Sequence, residues 1–181
     1  MAVDFWFSIG STYTFLSIMR LPQLGTETGI EFRWRPFNVR AIMIAMDNIP
    51  FANKPAKAAY MWRDVERRAA HYGLTARLPI PYPLAGLEVA NRVAVLAASE
   101  GWCEAYATAT YRRWFSDGEA PGSEPNLSSS IAEAGQAPAR VLKFANSPAG
   151  VEGLSLATAR LRSSGIRLTV VRRGRRAVLG R

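Results

Sequence analysis

The residues with the clearest chemical potential stand near the start of the chain, where Ser11 and Thr12 follow Gly10 at the end of an apolar run. The spacing of apolar residues beyond them predicts a helix that begins near Thr12. A hydroxyl in front of a helix can bind an anion, because the first N–H groups lack partners and the helix dipole is positive there. A thiol, whose usual pKa is about 8.5, would be held there partly as thiolate. The same hydroxyls would also serve as ordinary helix caps, so the position alone leaves both interpretations open.

Any thiol chemistry at this position requires a thiol from outside the chain. The sequence has one cysteine, Cys103, and one histidine, His71. A single cysteine forms neither an internal disulfide nor a multi-cysteine metal site, and a single histidine excludes most zinc and histidine-dependent catalytic arrangements. We therefore expect no metal. Cys103 is interpreted as a small apolar side chain, and His71 as a surface or capping residue.

Length and composition predict a globular protein with a sizeable core. The chain has 181 residues, of which 49% are hydrophobic, enough for one domain or for one domain with a large insertion. The N-terminus does not resemble a signal peptide, and no apolar run approaches the ~20 residues that span a bilayer. We therefore expect a cytoplasmic protein that does not associate with membranes.

The basic charge of the chain is concentrated at its C-terminal end. Residues 1–150 carry 15 Lys and Arg against 13 Asp and Glu, whereas residues 151–181 carry 8 Arg against one acid. A basic arm that binds phosphates is one interpretation. However, the tail has no aromatic residue to stack on bases and no regular spacing, so nucleic acid is not the partner we expect.

The first part of the chain has the pattern of a βαβ unit. Residues 3–9 form a short aromatic run that ends at Gly10 and predict a buried strand. Apolar residues then recur at helical spacing over 12–25, and residues 30–34 predict a second strand. This order favours a parallel strand pair with a right-handed crossover.

The middle of the chain shows helical patterns only. These predict an all-helical insertion of about 100 residues, followed by one more helix at 154–163 and a strand-like run at 166–171. The predicted helices of the insertion cover residues 56–72, 87–100, 103–115, 127–134 and 137–146.

The opening segment, Asp4-Phe5-Trp6-Phe7-Ser8-Ile9-Gly10-Ser11-Thr12-Tyr13, resembles the 2-hydroxychromene-2-carboxylate isomerase and kappa-class glutathione transferase family. In that family a strand ends in a Ser-Pro-Tyr loop. Several later segments fit the same family in order and spacing, so the resemblance covers residues 3–150. These segments are Trp34-Arg35-Pro36-Phe37, Asn53-Lys54-Pro55 with Lys57 and Tyr60, Asp64 with Arg67 and Arg68, and Pro79 to Pro83.

The resemblance implies an α/β protein with a DsbA-like thioredoxin fold interrupted by a large helical insertion. The thioredoxin part would comprise residues 1–38 and 151–181, and the insertion residues 39–150. It also implies a homodimer that binds glutathione and a small aromatic substrate. Ser11, in the position of the family serine, would donate a hydrogen bond to the glutathione sulfur, and Thr12, Asn53 and Pro55 would help to bind glutathione.

The activity implied by the resemblance is glutathione-dependent isomerisation of 2-hydroxychromene-2-carboxylate to trans-o-hydroxybenzylidenepyruvate in aromatic degradation. The thiolate would add to the conjugated substrate, the former double bond would rotate, and elimination would return glutathione unchanged. A kappa-type glutathione transferase or peroxidase is a close alternative on the same site. A disulfide oxidoreductase is disfavoured, because such enzymes have Cys-x-x-Cys where this chain has Ser11-Thr12-Tyr13-Thr14. A non-catalytic helical binding module with a basic tail is the alternative from another class.

Simpler interpretations exist for several of these residues. Thr12 stands where the family usually has proline, so its hydroxyl could compete with Ser11 for the sulfur. Asn53 precedes Lys-Pro and could be an ordinary turn residue. Asp64 with Arg67 and Arg68 has the spacing of ion pairs on a solvated helix face, and we favour that interpretation. The tryptophans of the helical region, Trp62, Trp102 and Trp114, indicate helix packing.

The C-terminal segment departs from the family pattern. A thioredoxin fold needs further strands near a cis-proline loop, where the family has a segment similar to Phe-Gly-Ser-Pro-Ser-Phe, but no proline follows Pro148 here. Codons for residues 166–181, read one nucleotide later, can encode Phe-Gly-Ser-Pro-Ser-Phe-Val-Val-Gly-Asp-Glu-Leu-Phe-Trp-Gly. We therefore hypothesise that the tail results from a frameshift between about residues 146 and 164, which would leave the thioredoxin strands incomplete and put the activity of this chain in question.

Overall fold

The two predicted strands form a parallel pair. The structure, a computed structural model, describes residues 2–47, 51 and 54–165. Strand β1 (Ala2–Phe7) pairs with β2 (Glu31–Pro36), with Val3 opposite Phe32. The two strands and the parallel pairing predicted from the sequence are therefore confirmed. The strand-like run at 166–171 lies outside the described residues.

Aromatic side chains pack the two strands against each other. Trp34 of β2 contacts Phe5 and Phe7 of β1 edge-on, with ring centroids 5.3 and 5.4 Å apart. Such edge contacts add to the hydrophobic gain of burying the rings. The predicted strand extends to residue 9, but the observed strand ends at Phe7; Ile9 is nevertheless fully buried in the core. The chain therefore leaves the sheet while it is still anchored in the interior.

The single helix predicted over residues 12–25 is wrong, because this segment forms two short helices. Helix α1 is Thr14–Ile18 and helix α2 is Leu21–Thr28. Pro22 has no N–H to donate to the carbonyl of Ile18 and would clash in a continuous helix, so the chain breaks just before it. At the end of α2, Gly29 adopts φ +67°, a conformation that glycine accepts readily.

The remaining described residues are mostly helical, as predicted. A π-helical turn, Arg113–Asp117, continues one of these helices. All five predicted helices of the middle region are present, with ends shifted by up to three residues. The observed helices are α3 (Val39–Ala45), α4 (Pro55–His71), α5 (Leu87–Glu100), α6 (Cys103–Arg112), α7 (Asn126–Glu133), α8 (Pro138–Ala145) and α9 (Pro148–Ser163).

Two helices, α3 and α9, begin at capping side chains that the sequence prediction did not take into account. Helix α3 was not among the predicted helices, and it begins after Asn38, whose Oδ1 accepts a hydrogen bond from the Ala41 N–H at 3.1 Å. Helix α9 begins at Pro148 and not at residue 154. Its first turn is capped by Ser147, whose Oγ accepts from the Gly150 N–H at 3.3 Å. Each cap satisfies an N–H that the helix itself cannot.

Helix α5 lies at the centre of the fold. It contacts β2, α6, α8 and α9, and its buried face includes the small residues Ala90, Ala94 and Ala97. One hydrophobic core includes residues of β1, α1 and the helices α4 to α8. Residues on both sides of the predicted division at 38/39 therefore share this core, and the division at 150/151 falls within α9.

The helices do not have the character of membrane spans. Across the part of the chain that the structure describes, every helix is too short or too polar to cross a bilayer.

Candidate functional site

A cavity of about 700 Å³ lies at the carboxyl end of β1. The loop between β1 and α1 forms one wall, α3 forms another, and the segment that leads into α5 forms a third. This volume is typical of sites for small organic ligands. The lining residues among those described are Gly10, Ser11, Thr12, Tyr13, Val39, Arg40, Met43, Ile44, Phe51, Tyr82, Pro83, Leu84, Ala85 and Leu87.

Backbone hydrogen bonds hold the loop that carries Ser11. The N–H of Ser11 donates to the Ser8 carbonyl at 3.1 Å, which closes a tight turn. The hydroxyl of the fully buried Tyr111 lies 3.0 Å from the Ser8 carbonyl and 3.1 Å from the Ser11 carbonyl. Burial raises the pKa of Tyr111, so this hydroxyl stays protonated and able to donate. The position of Ser11 is thus set from helix α6.

Glycine is favoured at position 10 for two reasons. Gly10 has φ +107°, which L-residues rarely adopt. A Cβ there would also crowd the side chain of Leu87, a residue that lines the same cavity. The backbone conformation and the nearby leucine therefore both favour glycine in the turn that brings Ser11 to the cavity.

The structure distinguishes the hydroxyls of Ser11 and Thr12. Thr12 is buried, and its Oγ1 donates to the sulfur of Met61 at 3.1 Å. Ser11 is partly exposed at the cavity, and among the described residues no hydrogen-bond partner is found for its hydroxyl. Thr12 therefore supports the loop, while Ser11 has a hydroxyl available to a ligand. Helix α1 has only five residues, so it adds little of the dipole effect expected from a long helix.

The other two predicted glutathione-binding residues are placed differently. Asn53 lies outside the described residues. Pro55 is the first residue of α4, where its lack of an N–H costs nothing, and it is not among the described residues that line the cavity. Both assignments stay predictions.

Asp64 belongs to a cluster that reaches the cavity through Tyr13. The predicted ion pairs are present, with Arg67 at 2.9 Å and Arg68 at 3.0 Å. The expectation of a solvated face is wrong for the acid itself, because Asp64 is buried and also accepts a hydrogen bond from the Tyr13 hydroxyl at 3.0 Å. Burial and the Asp64 carboxylate together raise the pKa of Tyr13. Helix α4 thereby fixes one wall of the cavity.

Arg40 and Tyr82 are cavity residues that the sequence reasoning missed. The Nη2 of Arg40 donates to the Leu84 carbonyl at 3.0 Å, which joins α3 to the opposite wall. Burial raises the pKa of Tyr82, against a smaller lowering by the Arg40 charge. The ring of Tyr82 packs edge-on against Trp62 at 5.4 Å. Arg40 stands in no recognisable motif, and the segment from Pro79 to Pro83 that contains Tyr82 resembles the family without assigning a role to Tyr82. Only the position of the two residues in the fold places them at the cavity.

The remaining residues singled out from the sequence are not among the described residues that line the cavity. Cys103 is buried, and burial raises the pKa of its thiol, as expected for a packing residue. His71 is exposed in the last turn of α4. Trp102 and Trp114 are buried in the helical core. The structure brings together no group of three His, Cys, Asp or Glu side chains suited to a metal within residues 2–47, 51 and 54–165.

Comparison with known proteins gives a family match over most of the chain. A family model described as DSBA-like thioredoxin domain matches residues 2–167. Among solved structures, a 2-hydroxychromene-2-carboxylate isomerase superimposes with a TM-score of 0.80 at 23% identity, covering 92% of this chain and 81% of the other. A protein described as a putative protein disulfide isomerase from Nitrosomonas europaea gives a TM-score of 0.71 at 13% identity, with 92% and 80% coverage.

Two curated proteins are similar in sequence. A 2-hydroxychromene-2-carboxylate isomerase from Sphingobium xenophagum is 29% identical over 150 residues, which are 82% of this chain and 75% of that protein. A protein of the same name from Pseudomonas putida is 25% identical over 126 residues, 68% of this chain and 61% of its own length. The chain thus spans three quarters of one relative and less than two thirds of the other.

Proposed function

We propose that this chain, which belongs to the DSBA-like thioredoxin domain family, is a glutathione-dependent isomerase that acts on 2-hydroxychromene-2-carboxylate or a closely similar aromatic acid. The family match and the structural similarities confirm the thioredoxin fold expected from the resemblance. Relatives that carry the isomerase name support an enzyme. The substrate and the use of glutathione are the proposed part.

One observation carries the proposal: Ser11 presents a hydroxyl without an intramolecular partner among the described residues to a mostly apolar cavity. A merely capping serine would bond to a nearby N–H, as Ser147 does in α9. Here the hydroxyl of Thr12 supports the loop, which leaves that of Ser11 for a ligand. A polar group in this position is suited to orient a ligand in an otherwise apolar site.

The site fits glutathione in size and in chemistry. A cavity of about 700 Å³ is large enough for a small peptide thiol with part of an aromatic acid. When bound, glutathione supplies a thiolate that adds reversibly to a conjugated carbon–carbon double bond, allows rotation about it and is released unchanged by elimination. Cys103 does not supply this thiolate, because it is buried in the helical core.

Ser11 would hold the sulfur as an anion. Its hydroxyl donates one hydrogen bond to the charged form, which lowers the pKa of a thiol towards neutrality. The tight turn at Ser8 and the hydroxyl of Tyr111 keep the Ser11 backbone in place. The residue therefore contributes binding and activation without a covalent step of its own.

The same loop argues against a dithiol oxidoreductase. That chemistry needs a pair of cysteines at the start of the first helix, whereas this loop reads Ser11-Thr12-Tyr13-Thr14 and the single cysteine lies elsewhere. The similarity to disulfide isomerases at 13% identity is therefore a similarity of fold.

The test compares the parent chain with Ser11→Ala and with a matched control, Ser17→Ala. Ser17 is an exposed serine of α1. Glutathione is titrated at several pH values and the ultraviolet band of the thiolate is followed, after which turnover of 2-hydroxychromene-2-carboxylate is measured by absorbance. We expect bound thiolate below pH 7.5 in the parent and the control only, and a loss of turnover on the order of 10²-fold in Ser11→Ala.

Three other results would redirect the proposal. Glutathione bound by Ser11→Ala as well as by the parent would remove Ser11 from the site. Thiolate stabilisation without isomerisation, but with conjugates formed from electrophiles, would indicate a glutathione transferase. Absence of both binding and turnover in the parent would contradict the glutathione-dependent function of this chain.

A further inference from the structure

Arg40 is the charged side chain among the described residues that line the cavity. The other described lining residues are neutral, and most are aliphatic or aromatic. A single cation within an apolar wall is an unusual arrangement, because a charge that is partly removed from water loses hydration energy unless a counter-ion compensates for it.

No acidic side chain of the protein neutralises Arg40. All 14 Asp and Glu residues lie in the part of the chain that the structure describes, and none of them forms an ion pair with Arg40. Other arginines differ in this respect. Arg33 and Arg35 both contact Asp4, and Arg140 pairs with Glu100 at 2.8 Å.

The guanidinium of Arg40 is nevertheless held in a defined position. Its Nη2 donates to the Leu84 carbonyl at 3.0 Å. A guanidinium has five N–H donors, so this bond orients the group and leaves donors for a planar, bidentate partner. Carboxylates and phosphates both match that geometry, and the substrate of the proposed function is a carboxylic acid.

We propose that Arg40 binds a ligand carboxylate in this cavity and that the carboxylate belongs to the aromatic substrate, so that Arg40 selects organic acids over their neutral analogues. The apolar wall, which includes Met43, Leu84 and the ring of Tyr82, would hold the aromatic part of the same molecule. The inference extends the proposed function by naming a specificity-determining residue, but it is tested by binding alone. Glutathione also has carboxylates and is the competing source.

Arg92 is a matched control for Arg40. It too is a partly buried arginine that donates to a backbone carbonyl, that of Ala145, at 2.9 Å. It lines a separate cavity of about 300 Å³ beside α9 and not the one that contains Ser11. The variants Arg40→Gln and Arg92→Gln therefore remove the same charge and the same kind of hydrogen bond from different places.

The experiment measures dissociation constants for trans-cinnamate and its neutral analogue cinnamamide by quenching of tryptophan fluorescence. Binding is measured for the parent, Arg40→Gln, Arg40→Lys and Arg92→Gln. We expect the parent and Arg92→Gln to prefer the acid by roughly 10- to 100-fold, the usual range for a hydrogen-bonded charge pair. Arg40→Gln should bind both ligands equally, and Arg40→Lys should keep part of the preference because it keeps the charge.

Several results would overturn the inference. One is a parent chain that binds cinnamate no more tightly than cinnamamide. Another is an acid preference that survives in Arg40→Gln. A third is an equal loss of affinity for both ligands in Arg40→Gln, which would indicate that Arg40 only shapes the cavity. The comparison of cinnamate with cinnamamide can be made on the parent protein alone. The inference can therefore still be tested if a variant fails to fold. Glutathione is titrated in parallel, and an effect of Arg40→Gln on glutathione alone would assign the carboxylate to the peptide and contradict the proposal.

The binding test is separate from the test of isomerisation. An Arg40-dependent acid preference in a chain without glutathione-dependent turnover would support this inference and count against the proposed function. Glutathione-dependent turnover without an acid preference would support the proposed function and contradict this inference.

Discussion

The side-chain amide of Asn91 forms two hydrogen bonds with the backbone of Ile9. Its Nδ2 donates to the Ile9 carbonyl at 2.9 Å, and its Oδ1 accepts from the Ile9 N–H at 2.8 Å. Asn91 is fully buried on α5. The amide thus replaces the sheet partner that Ile9 lacks after β1 has ended, and it ties the central helix to the chain directly before Gly10 and Ser11.

Replacing Asn91 by leucine should destabilise the protein. Leucine is of similar size but leaves the N–H and C=O of Ile9 buried without partners, at a cost of about 1–3 kcal/mol for each group. We expect the free energy of unfolding, measured by urea denaturation, to fall by roughly 2–5 kcal/mol. The control is Asn146→Leu at an exposed position, which should change it by less than about 0.5 kcal/mol. Equal stabilities of the parent and Asn91→Leu would contradict this account.

The Asp64 cluster should make stability dependent on pH at the acid end. Burial acts to raise the pKa of the Asp64 carboxyl, but hydrogen bonds from Arg67, Tyr13 and Arg68 outweigh it, so the pKa lies below its usual value. A carboxyl with a lowered folded-state pKa stabilises the protein above its unfolded pKa, about 3.9. That contribution is lost as the pH falls through the folded-state value.

Asp64→Asn removes this contribution. The parent should be more stable than the variant at pH 7, and the difference should shrink as urea denaturation is repeated at pH values below about 4. Asp117→Asn is the control, since Asp117 is exposed and its ion-pair contact, with Arg112, is long at 3.8 Å. A difference that stays constant with pH would show that Asp64 acts through packing and not through its charge.

Cys103 should have no part in activity. Because burial raises the pKa of its thiol, the reactive thiolate is scarce. We expect iodoacetamide to leave the native protein unmodified at pH 8, as judged by mass spectrometry, and to alkylate it once urea has unfolded it. Cys103→Ala should bind glutathione within about twofold of the parent, because the residue lies outside the cavity. Rapid alkylation with loss of glutathione binding would contradict this assignment.

The frameshift hypothesis for the tail predicts a specific gene sequence. One inserted or deleted nucleotide between about codons 146 and 164 should restore a segment that begins Phe-Gly-Ser-Pro-Ser-Phe. The family match ends at residue 167, close to this region. Expression of the restored chain and titration with glutathione should then show tighter binding than in the present chain. If no single-nucleotide change restores that peptide, the hypothesis is wrong.

The sequence by itself determined the features that depend on neighbouring residues. The aromatic run before Gly10, the helical periodicities and the single cysteine gave the two strands, most helices and the exclusion of dithiol chemistry. Ser11 was identifiable because its loop resembles a known motif. The local signals failed where one residue breaks a pattern, as Pro22 does between α1 and α2, or where a cap such as Asn38 starts a helix without a clear periodicity.

Only the tertiary structure decided which side chains surround Ser11. Asn91 reaches Ile9 across 82 positions of sequence, and Arg40 reaches Leu84 across 44. Such contacts depend on how α3 and α5 pack against β1. No periodicity encodes them, because the same amphipathic helices could pack at other angles with similar burial of apolar surface. The sequence located the serine at the end of the first strand, and the packing of distant helices determined that a cation and an apolar cavity lie beside it.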